Sequence, residues 1–353
     1  MAVPFVNLSP TNDPVRGLVI ADIRRLAIEG DFTLGGKVAE FEEAWAAYCG
    51  ARFCVAVGSG TDALALALRA LRLPYGARVA VPAMTFQATW EAVTLAGLGV
   101  LPIDVDEDGL LDSSNVPDDV RVVIPVHLYG RIAMLGTEPP SILEDACQAH
   151  GARIGEWTPG RDSGAAYSFY PSKNLGAWGD AGALVTDDEA LTDEVRALRH
   201  HGQRAKGAHA SVGTTGRMDT LQAAVLLRKL PFLDEWNEQR REAAAFYNRE
   251  LAGIDGLTLP PDALGHVWHL YVIRTANRDG LRDWLGERGI GTGVHYPYPP
   301  HLTLAYAHLG YGVGDFPVAE RLAAEGLSLP MWAGITEDEL AQVVEAVRGW
   351  FER

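Results

Sequence analysis

Three short segments of this 353-residue chain combine residue types that could do chemistry. Gly58-Ser59-Gly60-Thr61 falls between an apolar run and a longer Ala/Leu-rich run. A strand-to-helix junction leaves backbone N–H groups free at the positive end of the helix dipole, which suits a phosphate. A tight structural turn explains these residues equally well. The third glycine of a dinucleotide fingerprint is missing, and no Gly-Lys-Ser/Thr follows as in a P-loop. Glu144-Asp145 closes another apolar run, and ligands of open α/β sheets bind at the carboxyl ends of strands. Asp145 there could pair with a protonated heterocyclic nitrogen, ligate a metal or act as a base; on position alone, a helix N-cap is the commoner use. Lys173 lies in a loop rich in glycine, proline and aromatic residues that begins at Ser168. Lysines are usually exposed, whereas a buried amine of lowered pKa forms a Schiff base with an aldehyde. Ser168 could add a hydroxyl to the phosphate. A phosphate turn, a strand-end Asp and a loop Lys, in that order, suit pyridoxal 5'-phosphate, which needs a lysine, an acidic partner for its ring nitrogen and an anchored phosphate.

Two further segments read less sharply. Arg199-His200-His201-Gly202-Gln203-Arg204-Ala205-Lys206 is either a solvated loop or a patch for an anionic substrate. No acidic residue or cysteine completes a recognisable ligand set, so no metal site is expected. His295-Tyr296-Pro297-Tyr298-Pro299-Pro300-His301 is a stiff aromatic loop that could line a site or brace an interface.

The elements that must position these residues alternate between β-branched and Ala/Leu-rich runs. Strands are predicted over 53–57, 79–81, 100–105, 122–126, 142–144, 167–169 and 183–186, with helices over 61–71 and 87–96. The Ala-Leu alternation of 61–71 has period two, but its length and alanine content favour helix. Repeated β-α-β units predict a largely parallel sheet covered by helices. A helical stretch over 220–251 should kink or restart at Pro231. Beyond Pro260-Pro261 a smaller α/β segment is expected, with a strand over 268–274 and a helix over 279–289. Thr336 and Glu339 form a capping box for a last helix with Leu340, Val343, Val344, Val347 and Phe351 on one face. The chain thus divides into a large domain, 1–250, and a small one, 251–353.

Composition bounds the partners. Hydrophobic residues make up 48% and charged ones 22%, as in ordinary globular proteins. The net charge of -16 argues against nucleic acid or an anionic membrane as partner. No apolar run is long enough to span a bilayer, and no secretory signal is visible at the N-terminus. Cys49, Cys54 and Cys147 read as buried thiols in a reducing compartment, so a cytoplasmic location is expected.

The chain resembles the DegT/DnrJ-type sugar aminotransferases over nearly its whole length. The resemblance is carried by Gly35-Gly36, Gly60-Thr61-Asp62-Ala63-Leu64, Pro82-Ala83-Met84-Thr85-Phe86 and Val126-His127-Leu128-Tyr129-Gly130. It continues in Glu144-Asp145-Ala146-Cys147-Gln148-Ala149-His150-Gly151, residues 168–174, Arg217-Met218-Asp219, Val294-His295-Tyr296-Pro297 and Leu327-Ser328-Leu329-Pro330. It implies the aspartate aminotransferase fold (fold type I), with a large domain of seven mainly parallel or mixed strands and a small C-terminal α/β domain. Lys173 matches the Schiff-base lysine, Asp145 the partner of the ring nitrogen and Gln148 a donor to the phenolic oxygen. Phe86 matches the stacking aromatic, and Gly60, Thr61 and Ser168 the phosphate anchors. Asn174 also matches the family, whereas Thr215 stands where members often carry an Asn that reaches the phosphate of a second subunit.

What the resemblance implies for function is transfer of an amino group from Glu or Gln to a keto group of a nucleotide-diphosphate-linked deoxysugar, in a homodimer with shared sites. The His295–His301 pattern is similar to the branch acting on 3-keto sugars. Phe32, Arg217, His295, Tyr296 and His301 are the expected substrate contacts, and Arg199, Arg204, Lys206 and Arg217 the first donors to consider for a diphosphate. A cyclitol or other cyclic ketone is an alternative acceptor, and a non-catalytic protein on the same fold an alternative class. Lys173 speaks against the sugar dehydratases that carry His in its place.

Overall fold

The computed structural model describes residues 2–135, 141–161 and 163–353. The large sheet is built from β1 (Phe53–Val57), β2 (Arg78–Pro82), β3 (Gly99–Ile103), β4 (Val122–Val123), β5 (Leu143–Asp145), β6 (Gly164–Ser168) and β7 (Gly182–Thr186). Ladders give the orders β3-β2-β4 and β1-β7-β6-β5. Parallel bridges from Val123 to Ile142 and from Val126 to Asp145 join them into one seven-stranded sheet. β7 runs antiparallel to both its neighbours, and the other pairings between adjacent strands are parallel. The expected mixed, mainly parallel sheet is therefore present.

Alternation along β1 shows how the sheet is buried on both faces. Cys54 and Ala56 join a core formed with the helices Gly36–Cys49 and Thr220–Lys229. Val55 and Val57 join the opposite core, with the helices Gly60–Ala70, Gln87–Leu95 and Glu189–Leu198. The Ala-Leu run forms the expected helix, and the helix is enclosed: every residue from 63 to 68 is buried. The helix over 220–250 restarts in a 3-10 turn, Leu230–Phe232, at Pro231. Its second half, Leu233–Glu250, serves two cores: Leu233 and Trp236 pack with the large sheet, and Ala243, Ala244 and Tyr247 with the C-terminal core.

After a short exposed hairpin, β8 (Gln203–Ala205) with β9 (Ala208–His209), the C-terminal part pairs β10 (Tyr271–Arg274) antiparallel with β11 (Gly326–Leu329). Strand β11 and the helices Arg16–Glu29 and Gly36–Cys49 carried no sequence prediction. The terminal helix Glu337–Phe351 has the expected capping box and buries Leu340, Val343, Val344 and Val347. Three predicted strands are shorter than expected. Pro125 lacks an N–H for the ladder, which limits β4. β3 already ends at Ile103. Residues 267–270 leave the line of β10 because Val267 N donates to Gly130 O at 3.0 Å and Leu270 N to Tyr129 O at 3.3 Å. Trp268 in that segment has φ 48°.

Glycine is required where the sheet meets the phosphate turn. A Cβ at Gly182 of β7 would lie 2.2 Å from the Ser59 carbonyl carbon and 2.6 Å from Gly60 N. Gly182→Ala is expected to destabilise the fold by about 1–3 kcal/mol through overpacking, read as a lower midpoint in thermal unfolding. An unchanged midpoint would show that this backbone contact yields freely.

Candidate active site

The sheet's topology gathers the chemistry-bearing residues at one edge. Ser59, Gly60 and Thr61 follow β1, Phe86 follows β2, Asp145 ends β5 and Ser168 ends β6. They line one cavity of about 320 Å³ together with Gln148, Lys173, His269, His295 and Tyr296.

The first wall is the N-terminus of the helix Gly60–Ala70. Ser59 caps it by accepting a hydrogen bond from Asp62 N at 3.0 Å. The N–H groups of Gly60 and Thr61 precede the helical ladder and have no intrahelical partner, so they form an anion cradle. A Cβ at Gly60 would lie 2.6 Å from Cys147 Sγ and 2.8 Å from Ser168 Cβ. Only glycine keeps this cradle open.

Asp145 is the deep acidic group, 7% exposed. Its Oδ2 accepts from Thr89 Oγ1 at 2.8 Å and its Oδ1 from Cys147 N at 3.2 Å. Thr89 in turn lies 2.8 Å from Thr85 Oγ1. These bonds fix the carboxylate's orientation. Gln148 is held from both ends: its Oε1 accepts from Tyr129 N at 2.6 Å, and its Nε2 donates to Tyr296 Oη at 2.9 Å. Tyr129 has φ 61° and donates its hydroxyl to the His295 carbonyl. His295 Nδ1 is 2.8 Å from Ser328 Oγ in β11. A cavity wall from the large sheet is thus bonded to one from the C-terminal part.

Lys173 sits among these groups. Burial lowers the pKa of its amine, while Cys147 and the Asp145 carboxylate oppose that shift. Lys173 Nζ makes no ion pair with Asp145 or any other described residue. Phe86 is 55% exposed, with its ring centroid 5.4 Å from that of Tyr296. An anion cradle, an aromatic face, a fixed carboxylate and a free amine in one cavity fit the phosphate, ring, ring nitrogen and aldehyde of pyridoxal 5'-phosphate.

A scan against protein-family models matches residues 16–348 to the DegT/DnrJ/EryC1/StrS aminotransferase family. The chain belongs to this family. It is 42% identical to a dTDP-3-amino-3,4,6-trideoxy-alpha-D-glucose transaminase of Streptomyces venezuelae, over 99% of this chain and 97% of that protein. It is 36% identical to a UDP-N-acetyl-3-dehydro-alpha-D-glucosamine 3-aminotransferase of Acidithiobacillus ferrooxidans, over 98% and 97% of the two chains. Its fold superposes with a TM-score of 0.95 on the crystal structure of S. venezuelae DesV in complex with a ketimine intermediate, at 42% identity, covering 100% of this chain and 99% of that one. This DegT/DnrJ/EryC1/StrS aminotransferase is a pyridoxal-phosphate-dependent transaminase.

Other expected site residues lie elsewhere. Asn174 turns away from the cavity; its Nδ2 donates to Asn237 Oδ1 at 2.9 Å and to Val267 O at 2.8 Å. His301 is buried outside the cavity, with Nε2 3.1 Å from Glu320 Oε1. Phe32 is exposed and does not line the cavity. Thr215 is exposed, with Oγ1 3.2 Å from His201 Nε2, and Arg217 Nη1 is 3.3 Å from His200 Nδ1. Arg199 is buried against Glu42 and the Ala56 carbonyl, and Arg204 pairs with Glu194. Neither lines the cavity, and Lys206 is exposed. Sequence reasoning assigned no role to Thr89, Tyr129 or His269. Thr89 had a usable signal, since it lies beside Trp90, Ala92 and Val93 on the buried side of its helix and needs a partner there.

Two predictions follow from this geometry. Thr89→Val removes a donor to the Asp145 carboxylate, a bond of about 1.5–3 kcal/mol. Cofactor affinity, measured by fluorescence titration of the cofactor-free protein, should fall by about tenfold or more. Unaltered affinity would show that Cys147 N alone orients Asp145. The second concerns pH. Burial, aided by Lys173, depresses the pKa of His150 to about 3, and burial likewise holds His295 at about 4. Both remain neutral in the fold while they protonate in the unfolded chain below about 6.5. Stability is therefore lost as pH falls from 6.5 toward these folded values. At pH 5 His150 alone should cost roughly 2 kcal/mol, visible as a lower unfolding midpoint than at pH 7.

Proposed function

We propose that this transaminase moves an amino group from Glu or Gln to a keto group of a nucleotide-diphosphate-linked keto-deoxysugar, with a 3-keto sugar as the acceptor. The observation that carries the sugar reading is end-to-end similarity to two nucleotide-sugar aminotransferases, one named for a dTDP-linked and one for a UDP-linked 3-amino or 3-dehydro sugar.

When bound, pyridoxal phosphate supplies an aldehyde for the amine and a ring that delocalises the electron pair left at the substrate carbon. Lys173 would hold the cofactor through its amine and would move the proton at the substrate carbon. Its burial favours the uncharged amine needed for both tasks. Asp145, with both oxygens engaged from behind, would keep the ring nitrogen protonated. Gln148 would hydrogen-bond the phenolic oxygen, Phe86 would stack on the ring, and Gly60, Thr61 and Ser168 would hold the phosphate.

Residues 1–250 serve as the cofactor domain and 251–353 as the small domain that carries His295 and Tyr296 to the site. A homodimer is supported by the exposure of Phe32, Phe86, Tyr170 and Trp178, and by the cavity's own shortage of cations. Among the described residues, Lys173 is the only lysine or arginine in the cavity lining, so a diphosphate needs donors from a second subunit. Among the described residues, no helix is long and apolar enough to cross a membrane. Three free thiols, those of Cys49 and Cys54 fully buried, support a reducing, cytoplasmic compartment.

The purified protein should be yellow, and borohydride should remove the visible band. Lys173→Ala should lower transamination by at least about a hundredfold, the smaller end of what a positioned acid–base group contributes. Near-normal turnover in that variant would mean that another residue holds the cofactor. A panel of dTDP- and UDP-linked keto sugars and cyclitol ketones, each with Glu and Gln, then decides the acceptor. Turnover of the cyclitol alone would overturn the sugar reading.

A further inference from the structure

A line of polar groups runs behind Lys173 and ends in an imidazole to which the reading above gives no role. His150 Nε2 is 2.7 Å from the Ser168 carbonyl oxygen. The His150 carbonyl accepts from Asn237 Nδ2 at 2.8 Å, and Asn237 Oδ1 accepts from Asn174 Nδ2 at 2.9 Å. Asn174 Nδ2 donates a second time, to Val267 O at 2.8 Å. Asn174 Oδ1 then lies 3.1 Å from His269 Nδ1.

The orientation of each amide is forced by its neighbours. Asn237 must point its nitrogen at a carbonyl, so its oxygen faces Asn174. Asn174 must present its nitrogen to two oxygens, so its own oxygen is left for His269. An acceptor at that place requires Nδ1–H. Burial, together with Lys173 and Arg240, holds the His269 pKa far below its usual value, so the ring is neutral and carries one proton only. Nε2 is therefore a bare lone pair. It has no partner among the described residues, yet it is not among their sealed, unpaired buried nitrogens, as His150 Nδ1 and His301 Nδ1 are. It opens onto the cavity that His269 lines.

We propose that His269 contacts the acceptor substrate, its Nε2 taking a hydrogen bond from a hydroxyl of the sugar ring. This inference rests on the sugar reading above. A bare nitrogen repels carboxylate, phosphate and ketone oxygens, so a hydroxyl hydrogen is what it selects. Two other acceptors of the cavity are already engaged, Asp145 by Thr89 and Cys147 N, and Gln148 Oε1 by Tyr129 N. His269 is thus a specificity residue whose tautomer is set by Asn174, the residue next to the catalytic lysine.

The test titrates dTDP-glucose and UDP-glucose into protein loaded with pyridoxamine phosphate, for the wild type, His269→Phe and His269→Gln. The Phe variant should bind the better probe at least about fivefold more weakly, the worth of one hydrogen bond. The Gln variant, whose amide can donate to Asn174 and present an oxygen, should recover part of the loss. Melting midpoints and cofactor absorbance show that the variants are folded and loaded. Nitrogen-15 spectra of histidine-labelled protein should show His269 protonated at Nδ1 and bare at Nε2 at pH 7. A proton on Nε2 overturns the proposal. So does equal binding by the wild type and both variants, which would leave the sugar reading intact. A wild type that binds neither probe sinks the sugar reading instead, and the ring-hydroxyl contact with it.

Discussion

A lysine amine and an aspartate carboxylate share one cavity without closing an ion pair, and the rest of the site depends on that separation. A protonated amine and a carboxylate in a medium of low dielectric attract strongly, so a flexible Lys173 would take a proton and collapse onto a free Asp145. The fold prevents this from both sides. Asp145 has its oxygens occupied by Thr89 Oγ1 and Cys147 N. Lys173 is flanked by Asn174, whose amide is anchored to Asn237, Val267 and His269. The amine feels the carboxylate but does not bond it, which leaves both free for a ligand between them.

Rigidity on this scale needs close backbone contacts, and these fall at glycines. Gly60 lies against Cys147 and Ser168, and Gly182 against the Ser59 carbonyl. Gly130, at φ 98°, lets the loop after β4 approach 267–270; a Cβ there would be 2.9 Å from Val267 Cγ2 and 3.0 Å from His269 N. That approach sets the place of His269 and, through the Tyr129 hydroxyl, of His295. The cavity is thus assembled by backbone proximity across segments far apart in the chain, and side chains then complete it.

This distinction explains what was legible in the sequence. Gly60, Phe86, Asp145 and Ser168 each sit at or just after the carboxyl end of a strand whose apolar run could be read directly, and a largely parallel sheet brings such ends together. Lys173 and Gln148 follow closely on two of those ends. Asn174 was not separable from Lys173 by spacing, because adjacent residues in a loop point to different sides and only the partners reveal which. His301 shares a proline-rich segment with His295 and Tyr296, yet the turn Pro300–Leu302 carries it to Glu320. Thr89 and His269 act through bonds whose other ends lie 56 and 95 residues away in the chain; its place on the buried side of its helix tells that Thr89 needs a partner, but no local pattern tells which.

Charge shows the same limit from the other direction. The basic stretch 199–206 reads as a donor set for a diphosphate, yet Arg199 is buried on Glu42 and Arg204 is paired with Glu194. A buried arginine has to be paired, since an uncompensated charge there would cost several kcal/mol, so Arg199 has no guanidinium face to offer a ligand. With 46 acidic residues against 30 basic ones, most arginines in this chain have a carboxylate within reach. A count of basic residues near a site therefore overstates what is available for an anion. The groups that remain open are the N–H donors of Gly60 and Thr61 at the start of the helix Gly60–Ala70, where Gly182 and Ser168 pack against the turn. In an acidic protein, backbone donors at a helix end are the more dependable way to hold a phosphate.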